Sequence, residues 1–151
     1  MSPFKFRLTT LLTLRNAERE RCRAELAAAC ALERQLAERR RSLEAQLERH
    51  RQWVRAGTSP GTIAVEKLKS AGQYERALRA QLAEVVADHE TGAAEVGCRQ
   101  QAAARAESEV RVLEKLRERE IDEFKRAQAL VEVKQVDEVA ARTHRGPMLA
   151  G

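Results

Sequence analysis

AGTSPGT, residues 56–62, is the stretch that decides how this chain folds. It holds two glycines and Pro60 within seven residues, and no other segment is so dense in helix breakers. The other prolines, Pro3 and Pro147, lie near the ends, so nothing in the long intervals between them forbids continuous helix. Gly57 is suited to close a helix in the left-handed conformation. Ser59-Pro60 has the form of a cap followed by a first helical residue. A connection this short returns the chain antiparallel.

Both flanks of that stretch carry one periodicity. Alternate steps of four and three residues pick out Leu8, Leu12, Arg15, Arg19, Cys22, Leu26, Ala29, Glu33, Leu36, Arg40, Leu43, Leu47, His50 and Val54. After the turn the same stepping runs through Ala64, Leu68, Ala71, Glu75, Leu78, Leu82, Val85, His89, Gly92, Val96, Arg99, Ala103, Ala106, Val110, Leu113, Arg117, Glu120, Phe124, Ala127 and Val131. A 3.5-residue repeat is the period of a left-handed coiled coil. The expected fold is therefore all-α: one hairpin of two long antiparallel helices over residues 1–151. Helix 1 is expected over about 3–56, the turn over 57–61, helix 2 over about 60–142, and a flexible tail over 143–151. At 1.5 Å per residue the arms would measure about 80 and 120 Å. Helix 2 is the longer, so from about residue 115 it should outrun its partner.

The composition fits a seam better than a thick core. Charged residues make up 34% of the 151 residues and aromatics only 3%, with one Trp, one Tyr and three Phe. Ala, Glu, Arg and Leu dominate, as in long helices. The net charge of +5 is unevenly placed: residues 1–55 hold 13 Lys/Arg against 7 Asp/Glu, the remainder 15 against 16. The basic residues are interleaved with Glu (ERERCRAE, ERRRSLEAQLERHR), which dilutes a nucleic-acid footprint, and no nucleic-acid partner is expected. No segment approaches the ~20 apolar residues of a membrane span, and the opening FKFRLTTLLTLR has too short an apolar run for a secretory leader. Cys22, Cys30 and Cys98 form an odd set without paired spacing, which suits reduced thiols in the cytosol.

Catalysis finds no support in the residues. There is no Gly-rich phosphate loop, no HExxH motif, and no pairing of the scattered His50, His89 and His144 at metal-ligand spacing. Carboxylates on an exposed two-stranded coil lack the buried cleft that would tune them. No enzyme activity, cofactor or metal is expected. The surface itself becomes the candidate for function. RVLEKLRERE, residues 111–120, is almost all charge, and it falls where helix 1 should run out. Past that point Leu116, Ile121, Phe124, Leu130, Val131 and Val136 are expected to lack intrachain partners, and apolar residues exposed at helical spacing mark a docking surface. Trp53 beside the turn either closes the hairpin tip or anchors a partner, since Trp is enriched at binding hot spots.

The run VRVLEKLRERE, the aromatic of DEF, and VDEVAAR about twenty residues after Leu116 resemble the pattern of the flagellar FliJ family. The matching residues are Leu113, Glu114, Lys115, Leu116, Phe124, Val136, Asp137, Glu138, Ala140 and Arg142. The opening FKFRLTTLLTLRNAERER is similar to the family's aromatic and basic lead, and the likeness spans essentially the whole chain. This resemblance implies a soluble, non-enzymatic part of the flagellar type III export apparatus, needed for flagellum assembly and motility. It further implies a stalk like that of the F-type ATPase gamma subunit. Its partners would be the hexameric export ATPase, the membrane export-gate protein and the export chaperones. Its place would be cytoplasmic, peripheral at the inner face of the membrane. With Trp53, the family-matched Leu113, Glu114, Lys115, Leu116, Phe124, Val136, Asp137, Glu138 and Arg142 are the expected partner-binding residues. A generic coiled-coil scaffold, or the stalk or chaperone of the related injectisome, is the alternative.

Overall fold

The computed structural model describes residues 2–57 and 64–145. They form two helices, α1 (Thr9–Gly57, 49 residues) and α2 (Val65–Arg145, 81 residues), and no strand. The fold is the expected all-α antiparallel hairpin with a longer second helix. The chain up to Arg19 groups with the chain from Ala106 onward as one compact unit, and Glu20–Arg105 forms another.

In the Glu20–Arg105 unit, partners on α2 rise in number as those on α1 fall, which is the antiparallel register. Arg51 Nε lies 3.5 Å from Glu75, His89 Nε2 lies 2.7 Å from Glu33 Oε1, and Arg99 Nη1 donates to Glu25 Oε2 at 2.7 Å. Its core is small: Leu43, Leu47 and Leu78, with Leu82 and Val85 packed against them. Cys22 is buried as a small seam residue. At Gly92 the helices come close, since a Cβ there would stand 3.4 Å from Leu36 Cδ1.

The other unit pairs the start of α1 with the later part of α2. Arg19 faces Glu107 at 3.9 Å, Arg15 donates to Glu109 at 2.9 Å, and Arg7 reaches Glu120 at 3.6 Å. Phe6, Ala106, Val110 and Leu113 are its buried apolar residues. Helix 1 begins later than expected, at Thr9 and not near residue 3. Thr9 turns back on Phe6, its N–H and its hydroxyl both donating to the Phe6 carbonyl (3.2 and 2.6 Å). That turn frees the aromatic lead to pack as an arm, with Phe6 buried and Phe4 lying against the Phe124 ring at 5.5 Å between centroids.

At the connection, Gly57 is the last residue of α1 and stays outside the left-handed region that its position suggested. Helix α2 starts at Val65, later than residue 60. The Ala64 carbonyl accepts from Lys67 and Leu68, and Glu66 in the first turn suits the positive end of the helix dipole. The expected cap at Ser59-Pro60, most of the turn and the tail beyond Arg145 lie outside the described residues. Residues 143–145 belong to α2, with Arg142, His144 and Arg145 placed in the last turn where cations favour the helix end.

Candidate interaction surfaces

The heptad stepping separates seam from surface. All fourteen α1 seam positions from Leu8 to Val54 are at least partly buried. Ala64 and Leu68, expected on the seam, are exposed; on α2 the seam holds from Ala71 to Leu113, then Arg117 is exposed and the half-buried Leu116 takes the inward place. Glu120 and Phe124 are half-buried, and from Ala129 to Arg145 every residue is exposed.

That pattern corrects where the exposed docking segment begins. Leu116, Ile121 and Phe124 were expected to stand beyond the partner helix. All three are partly buried, and Phe124 meets Phe4. The arm ahead of Thr9 reaches this stretch, Arg7 meeting Glu120 and Phe4 meeting Phe124. Among the family-matched residues, Leu113 is buried and serves the fold, while Glu114 and Lys115 beside it are exposed. Val136, Asp137, Glu138 and Arg142 are fully on the surface.

The unpartnered end of α2 carries its own apolar stripe. Leu130, Val131, Val133, Val136 and Val139 are each more than half exposed. Ala129, Val133, Val136 and Ala140 follow coiled-coil spacing, yet Val133 lies nine residues, about two and a half turns, from Phe124. It therefore sits on the opposite face of α2 from the ring that meets Phe4. The line of Ala129, Val133, Val136 and Ala140 is thus distinct from the intrachain seam, whose spacing Val131 continues. Lys134, Arg142 and Arg145 against Glu132, Asp137 and Glu138 leave residues 129–145 electrically balanced.

A second exposed group lies in the Glu20–Arg105 unit. Trp53 is 64% exposed, Val65 79%, Leu68 51% and Tyr74 50%. His50 lies between two rings, near-parallel to Trp53 at 6.0 Å and edge-on to Tyr74 at 4.8 Å, and its Nε2 is 3.0 Å from the Ala71 carbonyl. Trp53 thus rests on His50 while leaving most of its surface to solvent. Glu66, Lys67 and Ser70 complete an open groove beside them. Sequence reasoning singles out Trp53, places Leu68 on the seam, where it is instead exposed, and misses Val65 and Tyr74. The signal for those two was available as apolar residues that fall off the seam.

Among the described residues no three His, Cys, Asp or Glu side chains stand together as a metal site, and no helix is long and apolar enough to cross a membrane. The polar contacts between the helices are pairs and small clusters. Arg99 is held above the usual arginine range by its hydrogen bond to Glu95 and then by the charge of Glu25, so its pairing persists at any physiological pH.

A thin antiparallel seam between two long helices, with exposed apolar patches beside it, defines an all-α helical hairpin. The family model for the flagellar FliJ protein matches residues 4–148. The chain belongs to that family, a non-enzymatic component of the flagellar export apparatus. No curated protein and no solved structure matches it.

Proposed function

We propose that this chain is the coiled-coil stalk of the flagellar export machinery, binding the hexameric export ATPase and the membrane export gate and escorting export chaperones. It works without chemistry of its own and is peripheral at the cytoplasmic face of the inner membrane. The observation that carries this reading is the bare end of α2. Five large apolar side chains between Leu130 and Val139 stand in solvent, and Val133 and Val136 among them lie on a face turned away from Phe124. Exposed apolar residues at helical spacing fit a groove or ring interior, and balanced flanking charges keep the contact soluble and reversible. Asp137, Glu138 and Arg142 then set orientation and encounter rate more than affinity.

The test is the turnover of the purified export hexamer with and without the chain. The full chain should stimulate hydrolysis. A chain ending at Gln128 should not, while keeping its helical circular dichroism, because residues 129–145 contribute no buried side chain. Full stimulation by that truncated chain would assign the working end elsewhere.

A further inference from the structure

The two exposed apolar patches differ in their electrostatics. Residues 129–145 are neutral overall. Residues 39–76 hold nine of the 28 Lys/Arg and only four of the 23 Asp/Glu, a net +5. That equals the charge of the whole chain, so the remainder carries 19 of each sign. Seven of the nine basic residues are exposed. Trp53, Val65, Leu68 and Tyr74 lie within this same basic stretch.

We infer that the turn-proximal ends of the two helices form a docking surface for an anionic lipid bilayer, with Trp53 and Tyr74 seated at headgroup depth among basic side chains. Three observations favour a bilayer over an acidic polypeptide. The exposed residues include both amphipathic aromatics of the chain, Trp and Tyr, the types enriched where hydrocarbon meets water. The apolar side chains do not converge on one trough. Val65 and Leu68 lie outside the groove that Trp53 and Tyr74 share with Glu66 and Lys67, so among the described residues no continuous slot awaits a helix. A fluid surface demands no such slot. Finally, the exposed Arg49, Lys67 and Lys69 have long apolar stems that let the charged heads reach phosphates while the stems lie along acyl chains. Each basic residue near an anionic surface contributes about 1 kcal/mol, so the basic stretch would be needed for firm attachment and the aromatics would give depth.

This inference rests on the peripheral location proposed above but not on the ATPase contact, which is assayed without lipid and stands or falls separately. Trp53 is the only tryptophan, so its fluorescence in the full chain reports this surface alone. With vesicles of phosphatidylcholine and phosphatidylglycerol the emission should shift to the blue, become shielded from acrylamide, and the chain should sediment with the vesicles. Phosphatidylcholine alone and soluble glycerophosphoglycerol should leave it unchanged. Replacing Arg49, Lys67 and Lys69 together by Glu should weaken sedimentation by at least about a hundredfold, with helicity retained by circular dichroism. Should that variant lose helicity, Trp53→Ser tests the same surface, expected to weaken sedimentation where Trp53→Phe keeps it. The proposal is overturned if anionic vesicles neither shift Trp53 nor carry the chain down. It is equally overturned if the charge-reversed, folded chain binds unchanged, or if polyglutamate moves the emission and vesicles do not.

Discussion

Leu43 and Val110 are the large side chains most fully withdrawn from water, one in each unit. A seam this narrow has few such residues, so each matters. Leu43→Ala should destabilise the chain by about 2 to 5 kcal/mol, measured by urea denaturation. The interhelical ion pairs are different. Arg15–Glu109 and Arg51–Glu75 are partly open to solvent, and such pairs are worth about 0 to 1 kcal/mol each. They select register and orientation more than they hold the helices together. The helix glycines allow a sharper comparison. A Cβ at Gly97 would meet nothing within 4 Å, so Gly97→Ala should stabilise by about 0.5 to 1 kcal/mol by removing the entropic cost of glycine in a helix. At Gly92 the same gain is set against contact with Leu36, and the increase in melting temperature should be the smaller of the two.

At the scale of elements, the arm ahead of α1 and the end of α2 make one device. The turn at Phe6–Thr9 directs Phe4 onto Phe124, so the aromatic lead covers apolar residues that α1 cannot reach. A double-mutant cycle of Phe4→Ala and Phe124→Ala should show a coupling of about 0.5 to 1.5 kcal/mol, as tilted aromatic pairs do. Independent side chains would show none. Beyond Gln128 the helix has no tertiary cover, and isolated helices of this length are marginal in water. Hydrogen exchange should therefore be fast over 129–145 and slowest around Leu78 and Val110. Addition of the export ATPase should slow exchange over 129–145 if that end is the one engaged.

The whole molecule is almost entirely two helices, and its buried residues are thinly spread along them. Far-ultraviolet circular dichroism should report well over about three-quarters helix, with unfolding broader than a globular domain of this size would give, because cooperativity passes only between neighbouring layers. A circular dichroism signal of less than half helix would contradict the fold. The two exposed apolar patches differ in charge, residues 129–145 being balanced and residues 39–76 net positive.

Much of this is written into the residues themselves. The breaker stretch at 56–62 and the 3.5-residue stepping are local properties. The two helices, their antiparallel sense, the seam from Leu8 to Val54 and that from Ala71 to Leu113 are therefore legible in the chain alone, although the same stepping also put the exposed Ala64 and Leu68 on the seam. The family pattern at Leu113–Leu116 and Val136–Arg142 is legible in the same way. What periodicity cannot reveal is which exposed-looking residues find cover. Phe4 and Phe124 are far apart in sequence, and only the turn at Thr9 brings them together. A heptad continues on paper through Ala127 and Val131, yet both are exposed. Periodicity records what each helix offers; burial also requires a partner at the same height. That second condition is non-local, and it alone separates the covered Phe124 from the bare Val136.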